Sequence, residues 1–255
     1  MQDRQTTEIT DGKAADLYRR VRHLLARIGF LRSGYMLLRS IREAILDSPA
    51  RGQAELNLEF EPREDPWNYA TVPYQQNRIR LEMEMLDCVR GSTYFRNALE
   101  VGCAEGIFTE ELIPRCESLL AADISSVALA RAQHRLQGKE NVRFAHWDLR
   151  VDAMPDTYDL IVIIHALEYI RNPLYIHRAR KKLVNSLRPG GFLLIGTMRV
   201  EDIYESAWWG KFLLRSGKRI NNFFAKHEAL RLVRTEELCL GKDYVAYDVL
   251  LQKKI

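Results

Sequence analysis

Residues 98–106 read Ala-Leu-Glu-Val-Gly-Cys-Ala-Glu-Gly, a short apolar run suited to a buried strand that ends in a glycine-punctuated turn. Gly102 and Gly106 let the backbone turn sharply and let a ligand lie against the main chain, with Ala104 the next smallest choice between them. The pattern then alternates. A helix through Phe108, Leu112 and Ile113 leads to a strand at 119–122, and Ser125 or Ser126 offers a hydroxyl to cap the next helix. Strands follow at 142–145 and 160–164, the latter continuously apolar, as a parallel strand buried on both faces requires. Asn172 and Pro173 open a helix that closes at Arg188-Pro189-Gly190-Gly191, ahead of a strand at 192–195. Residues 228–238 read as a helix and 244–251 as a final strand, while Ile79, Met83, Leu86 and Val89 mark a helix over 77–90 upstream. Strands separated by helices predict an α/β chain with a doubly wound, mostly parallel, Rossmann-like sheet.

Such sheets take ligands beyond the carboxyl ends of their strands. Asp123 closes the second strand, where a carboxylate accepts hydrogen bonds from both hydroxyls of a ribose, and Asp148 closes the third, where it accepts from an exocyclic amine. A dinucleotide site wants a third glycine where Ile107 stands, and Glu100 just ahead of the loop would repel a pyrophosphate. An adenosine carrying a positive centre fits better. His165 ends the fourth strand with Glu168 and Tyr169 close behind, which nominates His165, then Glu168, as general base or acceptor-positioning group. The competing reading has His165 touching a cofactor through its backbone alone. His177 lies beyond Pro173, off the face that His165 and Glu168 share, so no metal site is expected.

The loop, Asp123, Asp148 and the Leu-Arg-Pro-Gly-Gly before the fifth strand resemble the class I S-adenosylmethionine-dependent methyltransferases, over roughly residues 65–255. The resemblance implies a seven-stranded sheet and S-adenosyl-L-methionine as cofactor. It places Gly102, Cys103, Ala104 and Gly106 at the cofactor's amino-acid part, Asp123 at the ribose and Asp148 at the adenine amine. Ile124, Leu149 and Ile164 stand beside these positions, and Glu100 acts through the loop or water. The family usually has glycine where Ala104 stands. Asp65-Pro66-Trp67, Pro73-Tyr74-Gln75-Gln76, ALEVGCAEGIFTEEL and DLIVIIHALEYI are similar to the nodulation protein S family, which N-methylates the amino sugar of a deacetylated chitooligosaccharide. That likeness implies a lid of Trp67, Tyr74 and Arg78 over the cofactor, although Trp67 also suits a core. Two departures stand out: His165 replaces an acidic residue, and about 50 basic N-terminal residues are extra.

The 255 residues carry +4, but the stretch 13–51 alone carries +6, with Leu17, Val21, Leu24, Leu25 and Ile28, then Leu38, Ile41 and Ile45, at helical spacing. Two basic amphipathic helices are expected, which either pack on the main domain or a second copy, or touch an anionic membrane surface. Pro49, Gly52 and Pro62 mark 48–64 as a linker, dividing the chain into a helical extension at 1–64 and a cofactor-binding domain at 65–255. An insert over 200–226 mixes Trp208, Trp209, Phe223 and Phe224 with basic residues and suits the wall of an acceptor pocket. With 47% hydrophobic residues, no apolar run near 20 residues and four cysteines without a Cys-x-x-Cys pair, the chain reads as cytoplasmic and globular. The charge is modest for nucleic acid. The expected function is methyl transfer from S-adenosylmethionine to an amino or hydroxyl group of a small molecule, a glycan or natural product. The alternatives are an O-methyltransferase acting on a lipid-linked or polyphenolic acceptor at the membrane, and a catalytically silent cofactor-binding scaffold. The oligomeric state stays open, a homodimer included.

Overall fold

A computed structural model describes residues 35–90, 94–198, 217–240 and 244–255. The chain divides into two compact units, Met1–Glu43 and Ala44–Ile255. Residues 35–46 are helical, and the basic helix expected before Gly34 lies outside the described residues.

The second unit opens with helix α1 (Pro49–Phe60), where a linker was expected. Ser48 is its N-cap, accepting a hydrogen bond from the Arg51 N–H, and Pro49 occupies the first turn, where its missing N–H costs nothing. The residues that looked like punctuation are therefore a helix start. Helix α2 (Pro73–Arg90) follows. Then come β1 (Ala98–Val101), α3 (Ile107–Leu112), β2 (Leu119–Asp123), α4 (Ser126–Arg135), β3 (Val142–His146), β4 (Tyr158–Ile164), α5 (Pro173–Ser186), β5 (Leu187–Met198), α6 (Gly217–Ala225), β6 (Leu230–Leu240) and β7 (Tyr244–Lys253). Ser125 caps α4 and Asn172 caps α5.

The seven strands run in the order β3-β2-β1-β4-β5-β7-β6. The first five are parallel, and β7 inserts antiparallel between β5 and β6. In β4, Leu160 and Val162 face a layer formed with α2, α3 and α4, while Ile161 and Ile163 face α5 and α6. All four are buried, which explains the unbroken apolar run. Register aligns Val101 with Ala122 and Ile163, so the carboxyl ends of β1, β2 and β4 finish together.

Two expectations fail here besides the linker. Residues 230–240 form strand β6, not a helix: a register shift between Leu232 and Arg234 breaks the period-two alternation and leaves adjacent apolar residues at Leu232 and Val233. Asp148 lies two residues past the end of β3 rather than closing it. Phe223 and Phe224 also belong to the packing around α6, with the Arg180 guanidinium 3.6 Å over the Phe223 ring and the His177 ring edge-on to it at 4.5 Å. Trp208 and Trp209 lie outside the described residues.

Candidate active site

The loop after β1 puts three successive alternate residues in the left-handed region: Gly102 (φ 80°), Ala104 (φ 49°) and Gly106 (φ 85°). For Ala104 that conformation costs about 1 kcal/mol. The strain is held by Asp123 at the end of β2, whose Oδ2 accepts from the Ala104 N–H at 2.9 Å while Oδ1 accepts from the Ser125 N–H at 2.7 Å. Burial raises the Asp123 pKa, and these N–H donors oppose that rise. A β-carbon on Gly102 would lie 2.8 Å from the Ala166 methyl, so glycine there lets the first and fourth loops close on each other.

At the end of β4 the chain turns through His165, itself left-handed (φ 52°), with its N–H donated to Gly196 O at 2.8 Å. The imidazole is buried, and neither ring nitrogen makes a hydrogen bond within the protein. Its Nδ1 lies 3.5 Å from Glu168 Oε1, and that oxygen accepts from the Met198 N–H at 2.5 Å. Glu168 Oε2 has no partner either. A buried polar side chain without a partner is costly and calls for an explanation, of which a ligand in the adjoining cavity or a catalytic role is one.

Between these loops lies a cavity of about 370 Å³. Gly102, Ala104, Asp123, Ile124, Asp148, Leu149, Ile164, His165 and Trp67 all line it, so the structure brings together nine of the residues expected from the sequence. Five others stand behind it. Cys103 points into the core, where burial pushes its thiol up. Glu100 is enclosed in β1 and pushed up to about 8 by burial. Gly106 starts α3 against Ala132 and Leu136. Tyr74 is buried on α2, and Arg78 Nη1 donates to both carboxylate oxygens of the buried Glu82 (2.6 and 2.8 Å) beneath the Tyr69 ring. Tyr74 and Arg78, expected to cover the cofactor, are buried on α2 and do not line the cavity. Glu168 adjoins the cavity through His165.

The wall that sequence reasoning missed is α1. Gly52, Glu55, Glu59 and Phe60 face the cavity, joined by Tyr69, Trp147, Arg150, Tyr169 and Arg171. Trp67 sits among Phe60, Tyr69 and Tyr169, with ring centroids at 4.9, 5.9 and 6.4 Å. The Asp65 carboxylate holds that turn by accepting from the Tyr69 and Ala70 N–H groups, both at 2.8 Å. Glu55 of α1 reaches Arg171 at 2.7 Å, and Asn57 accepts from Ser125 Oγ at 2.7 Å. The Ser-Pro pair at 48–49 was the available signal for this helix.

Strand order, Gly-loop, Asp123 at the second strand end and a cavity over the switch between β1 and β4 define the class I S-adenosylmethionine-dependent methyltransferase fold. The profile of the nodulation protein S family matches residues 49–249, and the chain belongs to that family. Nodulation protein S of Bradyrhizobium diazoefficiens is 34% identical over 138 residues, 54% of this chain and 65% of the relative. That of Sinorhizobium fredii is 34% identical over 134 residues, 52% of this chain and 61% of the relative. The chain therefore aligns with just under two thirds of the length of these relatives. The crystal structure of N-methyltransferase NodS from Bradyrhizobium japonicum WM9 with S-adenosylhomocysteine superposes with a TM-score of 0.67 at 26% identity, covering 79% of this chain and 98% of that one.

Proposed function

We propose that the chain transfers a methyl group from S-adenosylmethionine to an amino or hydroxyl group of a small molecule, an amino sugar of a glycan or a natural product. The observation that carries this reading is the unpartnered His165 imidazole at the end of β4, facing the same cavity as Asp123 and the Gly-loop. The likeness to an N-methyltransferase solved with S-adenosylhomocysteine supports it.

S-adenosylmethionine, when bound, supplies a methyl group activated by its sulfonium. In this reading Gly102 and Ala104 hold the cofactor's amino-acid part against the main chain, and Asp123, prealigned by two N–H donors, accepts from the ribose hydroxyls. Trp67, Tyr69 and Tyr169 present aromatic faces suited to a cationic centre. His165 receives or positions the acceptor's proton, with Glu168, 3.5 Å from its Nδ1, as the second candidate base. In-line displacement needs alignment above all, and these loops supply it from rigid strand ends.

The test is titration of S-adenosylmethionine and S-adenosylhomocysteine into wild type and Asp123→Ala, followed by labelled-methyl transfer to amino sugars, glycans and phenols. Micromolar binding that is lost in the variant is expected. His165→Ala is expected to lower kcat by about 100-fold while leaving cofactor affinity within about threefold, and an unchanged kcat removes His165 from the mechanism.

A peripheral membrane contact is the second reading for the basic segment. It is favoured by exposed Leu38, Ile41 and Ile45 on the helical residues 35–46. Among the described residues no helix is long and apolar enough to cross a membrane. Co-sedimentation with anionic vesicles tests it, and equal behaviour of the chain with and without residues 1–43 sinks it.

A further inference from the structure

The large apolar side chains that stay exposed on the second unit are concentrated around the cavity. Among the described residues from 44 to 198 there are eight, and six of them, Ile45, Leu46, Leu58, Val151, Tyr169 and Leu174, lie on the segments that form its rim. Leu58 and Tyr169 line the cavity itself. The other four flank one buried knot. Arg150 Nη1 donates to Asp47 Oδ1 at 2.9 Å and to Ser48 O at 3.1 Å, while Asp47 Oδ2 accepts from the Arg171 and Asn172 N–H groups at 2.9 and 2.8 Å. Ile45 and Leu46 stand just ahead of Asp47, Val151 just after Arg150, and Leu174 two residues past Asn172. Three segments distant in sequence are thus tied together, and each brings apolar side chains, between 43% and 75% exposed, to the neighbourhood of that knot. Single exposed apolar residues need no explanation, whereas a group of them with a polar border marks a contact face.

The charge along that border has one sign. Helix α5 holds no acidic residue, and the exposed Arg178 and Lys181 fall four and seven positions after Leu174, on the same helix stripe. Lys182 straps the Val151 loop to α5, its Nζ donating to Leu149 O at 3.0 Å and to Asp152 O at 2.6 Å. Two acids close by are engaged: Asp152 Oδ2 accepts from the Asp148 N–H at 2.8 Å, and Glu55 pairs with Arg171 at 2.7 Å. Apolar anchors bordered by cations suit the interface of an anionic bilayer, where the anchors reach the acyl boundary and the cations meet headgroup phosphates.

We propose that this rim of the second unit docks on an anionic lipid bilayer, with Ile45, Leu46, Val151 and Leu174 entering the interface and Arg178 and Lys181 facing the phosphates. The face belongs to residues 44–255, apart from the basic residues 13–43, and it does not depend on which ligand the cavity takes.

The test is co-sedimentation of the full chain with phosphatidylcholine vesicles, pure or containing about 30% phosphatidylglycerol to give the anionic surface. Leu174→Asp and Val151→Asp remove anchors, and Arg178→Glu with Lys181→Glu reverses the border. Leu174 is the second residue of α5, where a carboxylate suits the helix, so that variant keeps its fold. Leu232→Asp, at an exposed apolar residue of β6, is the control. Wild type is expected to bind the anionic vesicles, and each anchor or border variant to bind them about tenfold more weakly, while Leu232→Asp binds as wild type does. Amide exchange over residues 149–153 should slow when anionic vesicles are added to wild type. Rim variants that sediment like wild type overturn the proposal and leave any binding to other residues. Wild type that ignores anionic vesicles overturns it too, and in that case a dimer dissolved by Leu174→Asp identifies a second copy of the chain as the occupant.

Discussion

His165 is held in a backbone conformation that costs a non-glycine residue about 1 kcal/mol or more, and its imidazole forgoes every hydrogen bond the protein has to offer. Both costs fall at the end of β4, where the chain must leave the sheet and present a side chain to the cavity. Strain of this kind persists where the surroundings over-determine it, here through the bond from His165 N–H to Gly196 O. Gly196 has its own constraint: a β-carbon there would lie 2.8 Å from Asp248 Oδ1, 2.9 Å from Ile164 Cδ1 and 3.0 Å from Glu82 Oε1. Gly196→Ala is expected to cost about 2 kcal/mol, read as a lowered Tm. Glu100 gives a pH dependence. Its carboxyl is held near 8 by burial against an ordinary 4.5, so the folded chain keeps it neutral while the unfolded chain ionises it. The stability linked to that proton is complete below pH 4.5 and is lost as pH rises to about 8, at no more than about 1.4 kcal/mol per pH unit. Denaturant titrations across this range should show the decline, and Glu100→Gln should flatten it.

Among the elements, those with an unbroken signal were readable and those with a composite one were not. The burial of β4 on both faces wrote itself as five consecutive aliphatic residues, and the caps of α4 and α5 lay in Ser125 and Asn172. β6 was disguised by its irregularity at Leu232–Arg234 and by the exposure of Leu232 and Val233, 55% and 39%, at the sheet edge. α1 was missed because proline and glycine carry opposite meanings at different positions: Pro49 opens the helix, and Gly52 makes room for a guanidinium. Ser48→Ala is expected to cost about 1 kcal/mol, as for other N-caps. Amide exchange should localise the loss to residues 49–60.

For the molecule as a whole, residues that share one strand end could be found by position, as Gly102, Asp123 and His165 were. Residues supplied from about a hundred positions away, such as Asp47 and Glu55 meeting Arg150 and Arg171, have no local signature. The sequence division at residue 64 passes through this assembly, whereas the compact unit begins at Ala44. A chain of residues 44–255 should therefore keep the S-adenosylhomocysteine affinity of the full protein, and one of residues 65–255 should lose it by at least tenfold. Calorimetry on the two truncations decides this.

A helix that forms one side of the cavity and is pinned at Arg150, Arg171 and Ser125 also sets a clock. Under the proposed cofactor reading, a spent cofactor covered by α1 is expected to leave no faster than that helix undocks. Turnover should then open with a burst and settle to the pace of departure, with a displacement rate that no concentration of competitor accelerates.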